Sequence, residues 1–445
     1  MNVGMTIVAD DMCIGCGVCV PVCPIDNLSM IWNYGKFEAL HEVEDCLDKC
    51  DLCFQACPFD NKSLDEDITA KKLFSEIENI SHQPECGYYT DCFVGHSPLE
   101  EQRFKSASGG LTSYLLEELL KSKLVDGVAC VAKSKKQPTM FEYKICYTVE
   151  EINECSGSAY YPVETSGILE YILENDGQYA IVALPCVSTG IRNAMKINKK
   201  LKNRIKYIVG LVCGQTKTDY FARYLAEKEN LHGLSEINFR TKSYDYPIKN
   251  FGTKLSNSTG VKKIANFSTF SKEWSDRFFT PNACNFCDDI FAETSDIAIM
   301  DAWLPKYDES NEGYNLILSR NPELSAILNT ISTVESIDIE NVLKSQELVV
   351  SSKREDITER IRVALKNGDY VPKKREHLLK RAKFERRFIV GFIYTVSKRT
   401  QKFWHESNGN YIQFMSSMKN TKREIFMRRQ IYRFFTILKR LKVIK

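Results

Sequence analysis

The sequence predicts three structural parts: a small cysteine-rich α+β module, an α/β body with a mainly parallel sheet, and a helical, basic C-terminal tail. Three observations support this prediction. Two regular cysteine runs lie before residue 60, strand-like segments alternate with helical patterns between residues 125 and 230, and basic residues accumulate after residue 370. A chain of 445 residues, of which 43% are hydrophobic, is long enough for about two to four domains with ordinary cores.

The two cysteine runs mark residues 1–62 as a metal-binding module. Their spacings are C-x2-C-x2-C-x3-C-P and C-x3-C-x2-C-x3-C-P. In two-cluster ferredoxins the fourth cysteine of each run binds the other cluster, so the runs predict a ferredoxin-like module with two 4Fe-4S clusters. The expected ligands are Cys13, Cys16, Cys19 and Cys57 for cluster 1, and Cys46, Cys50, Cys53 and Cys23 for cluster 2.

A zinc site and a disulfide framework are the alternative explanations of these cysteines. Zinc sites usually combine two separated C-x2-C pairs, not a doubled run. The N-terminus lacks the basic and apolar regions of a secretory signal, so we expect a reducing compartment in which thiols bind metal. No apolar run is long enough to span a bilayer. These features indicate cytoplasmic redox chemistry.

A helical linker, residues 63–83, connects this module to the body, which we place at residues 84–370. Strands are expected at 125–132, 178–184 and 207–212, and helices at 165–174 and 218–229. Buried strands that alternate with helices predict a largely parallel sheet with helices on its faces.

A glycine turn precedes the first long helical pattern of the body. Ser108, Gly109 and Gly110 are followed by leucines at helical spacing. Ser108 can cap the helix, and the two glycines let the backbone approach a ligand closely. Free amides at a helix N-terminus suit a cofactor phosphate. An ordinary helix cap after a glycine turn would give the same pattern.

Four further cysteines lie where they could share a metal centre. Cys186 and Cys213 each follow a strong strand, at the carboxyl end where open α/β sheets bind ligands. Cys284 and Cys287 form a C-x2-C pair. A third 4Fe-4S cluster is one explanation, and buried core thiols are the other.

Three charged residues near strand ends are candidates for ligand binding. Arg240 and Lys242 could face a phosphate or a carboxylate, or they could be solvated surface charges. Asp301 could orient a cofactor ring or a sugar hydroxyl, although a lone acid at a strand end is often a turn former. No constellation for hydrolytic catalysis stands out, so the catalytic residues stay unassigned.

The tail, residues 371–445, holds 21 Lys and Arg against four Asp and Glu. Its last stretch places apolar residues on one helical face: Met427, Ile431, Phe434, Phe435, Leu438 and Leu441. A basic amphipathic helix is typical of a protein that lies on an anionic membrane surface. Docking on a protein partner is the second hypothesis, and nucleic acid is the least favoured. We therefore expect a cytoplasmic protein, peripheral at the inner face of the membrane.

Taken in order, these motifs resemble the coenzyme F420 hydrogenase/dehydrogenase beta-subunit family with an N-terminal two-cluster ferredoxin domain. The resemblance rests on the cysteine runs and on ASGGLTSYLL, ALPCVSTGI, GLVCG, NFRTK and CNFCDD with SDIAIMDAW, and it covers about residues 10–320. It implies an FAD-binding α/β body with iron–sulfur clusters beside the flavin. Some members act on coenzyme F420, and many bacterial members occur among surface-polysaccharide biosynthesis proteins.

The resemblance also assigns roles to individual residues. It implies flavin-site roles for Ser108, Gly109, Gly110, Arg240, Lys242 and Asp301. It matches Cys186, Cys213, Cys284 and Cys287 to cysteines of the family. Met300 is a departure, because members often have glycine before this aspartate, and its larger side chain could narrow the approach to the cofactor.

The expected function is that of an iron–sulfur flavoprotein oxidoreductase. Single electrons would pass from a ferredoxin-type donor through 4Fe-4S clusters to FAD and on to a substrate. Two alternatives are an electron-transfer subunit without its own substrate pocket, and a non-catalytic iron–sulfur scaffold at the membrane. The presence of FAD would distinguish the flavoprotein oxidoreductase from both of these alternatives.

Overall fold

The fold was analysed in a computed structural model that describes residues 1–42 and 46–441. Its strands are β1 Leu28–Asn33, β2 Lys36–His41, β3 Ser81–Gln83, β4 Gly87–Tyr89, β5 Asp91–Gly95, β6 Gly127–Lys133, β7 Phe141–Cys146, β8 Tyr179–Ala183, β9 Ile205–Leu211, β10 Leu234–Thr241, β11 Gly252–Asn257, β12 Lys262–Asn266, β13 Ile297–Asp301, β14 Asn315–Ser319 and β15 Val334–Ser336.

The helices of the described residues follow in the same chain order. They are α1 Leu52–Ala56, α2 Glu66–Phe74, α3 Glu100–Lys105, α4 Leu111–Lys121, α5 Val149–Glu154, α6 Ser166–Glu174, α7 Pro185–Ile197, α8 Lys199–Arg204, α9 Asp219–Lys228, α10 Phe267–Ser275, α11 Pro322–Asn329, α12 Ile339–Ser345, α13 Glu347–Arg354, α14 Asp356–Asn367, α15 Phe384–Glu406, α16 Tyr411–Ser417 and α17 Lys419–Arg440.

An eight-stranded mixed sheet organises the body, with the order β15-β5-β14-β13-β9-β8-β6-β7. Its four central strands, β13, β9, β8 and β6, are parallel, as the alternation of strands and helices predicted. The outer strands pair antiparallel, so the expectation of a mainly parallel sheet holds only for the centre. The physical reason is that β7 and β14 follow their neighbours through connections that contain no crossover helix.

The central strands are buried on both faces because helices cover each side of the sheet. Ala180 and Val182 of β8 pack in one core with the leucines of α4. Tyr179 and Ile181 of the same strand pack in the opposite core with α6 and α7. Burial on both faces explains why β8 reads as a continuous apolar run. The parallel pairing places the carboxyl ends of the four central strands at one edge of the sheet.

A smaller antiparallel sheet, formed by β10, β11 and β12, was not predicted. Its register shifts between Asn238 and Thr241, where β10 contains an irregularity. Bulges of this kind bend a strand and redirect its side chains. The shift has a direct effect on the site, because Arg240 lies within it.

The cysteine-rich module contains one hairpin, β1 and β2, and the short helix α1 in its described residues. Its ferredoxin-like fold stays a prediction. Val18 and Ala56 pack into the core formed with α6 and α7. The hydroxyl of Thr165 donates a hydrogen bond of 2.7 Å to the carbonyl of Cys16, which fixes the module against the body.

The tail is helical, as predicted, and packs into the body. Trp404 and Phe414 are buried in an aromatic core with Phe278 and Phe279. The tail is therefore part of the body's hydrophobic structure and not a separate peripheral segment. Residues 442–445 lie outside the described residues. Among the helices of the described ranges, none combines the length and hydropathy that crossing a membrane requires.

Candidate functional site

A cavity of about 1090 Å³ lies at the carboxyl ends of the four parallel strands. This volume is near the upper end of the pockets that hold sizeable ligands. Its lining extends from the cysteine-rich module to the tail and includes Cys16, Ser108, Gly110, Cys186, Cys213, Arg240, Asp301, Arg429 and Arg433. Met300 also lines it. Four of the predicted cofactor residues and three of the predicted cysteine ligands, Cys16, Cys186 and Cys213, therefore meet at one place.

The cysteines of the two N-terminal runs lie close together in the module. Burial raises the pKa of the Cys57 thiol, and Cys16 and Cys13 add to the shift. Burial likewise raises the pKa of Cys53, with contributions from Cys50 and Cys23. The crossed assignment, in which each run gives its fourth cysteine to the other cluster, stays a prediction.

The second set of thiols receives hydrogen bonds from two asparagines. The side-chain amide of Asn2 donates to Sγ of Cys46 at 3.3 Å. The backbone amide of Asn27 donates to Sγ of Cys23 at 3.3 Å. Donors of this kind stabilise thiolate and cluster sulfur, and they are one means by which a protein adjusts a cluster's reduction potential.

The four later cysteines lie close together, and two of them, Cys186 and Cys213, line the cavity. Burial raises the pKa of Cys186, and the thiols of Cys287, Cys284 and Cys213 raise it further. Cys186 is the second residue of α7, where the helix dipole favours an anion. Cys284 and Cys287 lie in and just after a short 3₁₀ turn. The structure thus brings together the four residues that the sequence grouped.

Three buried cations surround these thiols. Burial disfavours the charged form of Lys353, but the thiols of Cys287, Cys213 and Cys284 outweigh this effect and raise its pKa. Arg277 donates to the carbonyl of Cys284 at 3.0 Å, and Arg360 donates to that of Asn285 at 2.9 Å. Buried positive charge requires a negative partner. Four thiolates that bind an iron–sulfur cluster would provide one, so this donor set fits a cluster.

The arrangement differs from a site for a single ion. Within residues 1–42 and 46–441, no three His, Cys, Asp or Glu side chains converge closely enough to hold one metal ion. A four-iron cluster separates its thiolates by its own width. The number, burial and charged surroundings of the four thiols therefore fit the predicted cluster, although the thiols are too far apart to bind a single metal ion.

Close packing and backbone conformation explain the two glycines before α4. A Cβ atom on Gly109 would lie 2.8 Å from the backbone nitrogen of Asn315, and Gly110 has a left-handed φ of 86°. The side chain of Asn315 accepts the amide of Leu111 at 3.1 Å. The next two amides, those of Thr112 and Ser113, belong to cavity-lining residues and have no acceptor within the helix.

Arg240 and Asp301 form an ion pair of 2.6 Å in the cavity wall. Arg240 has a positive φ of 55°, a conformation that a non-glycine residue keeps only where its surroundings enforce it. Within the described parts of the chain, Nε and Nη2 of Arg240 and Oδ1 of Asp301 are buried and meet no partner at hydrogen-bonding geometry. Unsatisfied buried groups of both signs are what a polar ligand would complete.

The ammonium group of Lys242 binds backbone carbonyls, whereas the sequence suggested that it could face a ligand. Its buried ammonium donates to the carbonyls of Arg103, Ser108 and Glu312. Burial, together with the charges of Arg240 and Arg103, lowers the pKa of Lys242 to about 7. Lys242 therefore supports the glycine turn from behind, because its hydrogen bonds hold the backbone that lines the cavity.

Several other residues that line the cavity were not identified from the sequence. Tyr160 and Trp274 present aromatic rings at 4.9 Å between centroids, and both line the cavity. The small residues before Tyr160, in the segment SGSAY, are the signal that could have indicated a binding loop. Arg386 and Arg429 come from the tail, and nothing in its spacing indicated that they would face a cavity.

These features define an iron–sulfur redox protein: two cysteine runs lead to further buried thiols at the strand ends of an α/β body. The chain belongs to the coenzyme F420 hydrogenase/dehydrogenase beta-subunit family. Models of the N-terminal and C-terminal parts of this subunit match residues 92–170 and 176–345, and a 4Fe-4S dicluster domain matches residues 12–61. The chain is accordingly an iron–sulfur electron-transfer protein of oxidoreductase type.

Two relatives illustrate the extent of the similarity. An uncharacterized protein of Methanocaldococcus jannaschii is 23% identical over 380 residues, which cover 77% of this chain and 95% of that protein. A chain of the F420-reducing NiFe hydrogenase complex from Methanosarcina barkeri is similar in structure, with a TM-score of 0.50 and 15% identity. That match covers 65% of this chain and 98% of the hydrogenase chain, and it supports the fold alone.

Proposed function

We propose that the chain is an iron–sulfur flavoprotein oxidoreductase that receives single electrons from a ferredoxin-type donor and delivers them to a substrate in the cavity. The module's eight cysteines would hold two 4Fe-4S clusters, and Cys186, Cys213, Cys284 and Cys287 would hold a third. Bound clusters supply one-electron transfer, and bound FAD supplies two-electron hydride chemistry.

The position of Cys186 carries this proposal. Its thiol is close enough to Cys287, Cys284, Cys213 and Cys16 for all four to act on its pKa. Cys16 belongs to the first N-terminal run, whereas the other three come from the body. Both Cys16 and Cys186 line the cavity. The module and the body therefore present thiols to the same space, as an electron path between them requires.

The cavity offers the groups that a flavin nucleotide needs. The amides of Thr112 and Ser113 suit a phosphate, and the unsatisfied nitrogens of Arg240 can donate to a ring carbonyl or a phosphate. Tyr160 and Trp274 provide apolar ring surface. This combination favours an enzyme with its own pocket over an electron-transfer subunit that has none, and over a non-catalytic scaffold.

Metal and flavin analysis of protein purified without oxygen tests the proposal. About twelve irons per chain are expected from three clusters, together with one FAD. Cys284→Ser should lose about four irons, whereas Cys86→Ser, which changes a buried thiol outside the three sets, should lose none. Unchanged iron in Cys284→Ser would contradict the third cluster. Clusters without flavin would instead favour the subunit or the scaffold.

The exposed side of α17 supports a docking role for the tail. Met427, Ile431 and Phe434 are 48%, 41% and 58% exposed, and Arg423, one turn before Met427, is exposed as well. Phe435, which the sequence placed on the same face, packs inward at the edge of this side and stacks on Phe388 at 5.4 Å. We assign the exposed side to an anionic membrane surface, consistent with a peripheral cytoplasmic protein that acts in surface-polysaccharide biosynthesis.

Co-sedimentation with vesicles tests this assignment. Binding to vesicles with anionic lipid should exceed binding to neutral vesicles, and Phe434→Asp should reduce it. Val261→Asp is the matched control, because Val261 is an exposed apolar residue in the turn between β11 and β12. Equal pelleting of wild type and Phe434→Asp would exclude the membrane role and leave a protein partner as the explanation.

A further inference from the structure

A fourth group of thiols lies beside the cavity, separate from the three cysteine sets described above. Cys130 lies in β6, Cys146 ends β7, and Cys155 directly follows α5. The Sγ atoms of Cys146 and Cys155 are 3.6 Å apart. The thiol of Cys130 lies close enough to both for them to raise its pKa. The proposed relay uses none of the three.

The local fold explains why these thiols meet. In the antiparallel pair of β6 and β7, Cys146 lies opposite Val128, and Cys130 is two residues further along the same face. Thr148 then caps α5, its hydroxyl accepting the amide of Glu151 at 3.2 Å. The single short helix returns the chain, so that Cys155 arrives over the end of β7.

The three thiols differ in access and in charge. Cys130 and Cys146 are buried, whereas Cys155 is partly exposed. Cys155 and Cys130 both line the cavity. Hydrogen bonds from Cys130 and Cys146 lower the pKa of Cys155, and the charge of Lys144 acts in the same direction. Cys155 is thus the thiol of the group that a reagent can reach and whose thiolate is favoured, and thiolates are the reactive form of cysteine.

We propose that Cys146 and Cys155 are a redox-active dithiol that exchanges with disulfides of small thiols. The Cys155 thiolate attacks one sulfur of the incoming disulfide, forms a mixed disulfide and releases one thiol. Cys146 then loses its proton and attacks Sγ of Cys155, which releases the second thiol and leaves an intramolecular disulfide. Two protein thiols are oxidised and one disulfide is reduced to two thiols, and excess thiol reverses both steps.

Closure of this disulfide would change the wall of the cavity. A disulfide holds its sulfurs about 2.05 Å apart, so the two Sγ atoms must approach by about 1.5 Å. Cys155 begins the loop that leads to Tyr160, and Ser156 in that loop contacts Ser113 of α4 through their hydroxyls at 3.2 Å. Movement of Cys155 toward β7 therefore pulls on the contact between this loop and the first turn of α4.

Thiol mapping of the intact protein tests the proposal independently of any cluster or flavin. Oxygen-free protein is equilibrated in glutathione buffers from fully reduced to fully oxidised, quenched in acid, alkylated and digested for mass spectrometry. Alkylation of Cys146 and Cys155 should fall together by about ten-fold or more as the buffer becomes oxidising, and the two peptides should appear linked. Cys92 in β5, near the opposite edge of the sheet, and Cys86 just before β4 are both buried and should stay alkylated.

Two variants make the result decisive. Cys130→Ser should keep the linked peptide, and Cys155→Ser should lose it while retaining the iron content of the wild type, which shows that the chain still folds. Three reduced thiols in the most oxidising buffer would overturn the proposal. So would one zinc per chain that is lost in Cys155→Ser, because the group would then be a metal site.

Discussion

Arg375 connects the tail to the helical linker and to the segment that follows Cys284 and Cys287, and its replacement should loosen both contacts. The residue is 4% exposed. Its guanidinium pairs with Glu293 at 2.9 Å and with Asp67 of α2 at 2.8 Å, and Asp288, next to Cys287, lies at 3.5 Å. Arg375→Gln keeps a polar side chain but removes the charge, so two buried carboxylates lose a partner.

The size of the effect follows from these distances. At 2.9 Å and an effective dielectric constant of about 20, one pair contributes about 6 kcal/mol of Coulomb energy, part of which desolvation offsets. Breaking a buried pair by removing one partner typically costs about 3–5 kcal/mol. Because Arg354 remains 3.0 Å from Glu293, the lower end applies. With roughly 2 °C per kcal/mol, the melting temperature should fall by about 6 °C.

Circular dichroism melting of the oxygen-free proteins measures this difference. Arg362→Gln is the matched control, because Arg362 also pairs with a glutamate, Glu359 at 2.6 Å, but its side chain is 62% exposed. A surface pair contributes only about 0–1 kcal/mol, so the control should melt close to the wild type. If Arg375→Gln melted within one degree of Arg362→Gln, the buried network would not stabilise the junction.

Three further predictions follow from the same structure. Burial raises the pKa of Glu293, but the charges of Arg375 and Arg354 outweigh burial and hold this pKa below 4.5. The difference in free energy of unfolding between wild type and Arg375→Gln should therefore persist above pH 4.5 and become smaller below it. Denaturant titrations at several pH values measure this difference. Asp301→Asn should weaken FAD binding at least about ten-fold in fluorescence titrations and leave the iron content unchanged. Trp404→Ala should lower the free energy of unfolding by about 3–5 kcal/mol, whereas Phe434→Ala on the exposed side of α17 should leave it nearly unchanged.

The centre of the sheet and the grouping of the body cysteines could be predicted because their signals are local. Strands such as β8, apolar on both faces, have a distinctive composition, and Cys186 and Cys213 follow such strands directly. The sequences of the outer strands do not indicate that these strands pair antiparallel, since pairing direction depends on how the connections between strands pack. Lys242 illustrates the same limit: the sequence marked it as a strand-end cation, but only the fold shows that it supports a turn.

The trio of Cys130, Cys146 and Cys155 could not be predicted for a related reason. Its spacings of 16 and nine residues match no metal motif. The three thiols meet through strand register and one helical return, and neither can be read from the cysteines themselves. The cavity-facing side of the tail was hidden in the same way, because a basic amphipathic helix has the same sequence pattern whether it meets a membrane or a protein core.

The contribution of the tail to the cavity also has a consequence for biosynthesis. Arg429 and Arg433 of α17 line a cavity that Cys16 of the N-terminal module also lines. At about 5–20 residues per second, a ribosome needs roughly 4–15 s to make residues 371–445 after the rest of the chain. During that interval the cavity is open on the tail side, and the aromatic core around Phe279 is uncovered. A body that folds before the tail is made would keep this cavity accessible from the tail side until α17 packs.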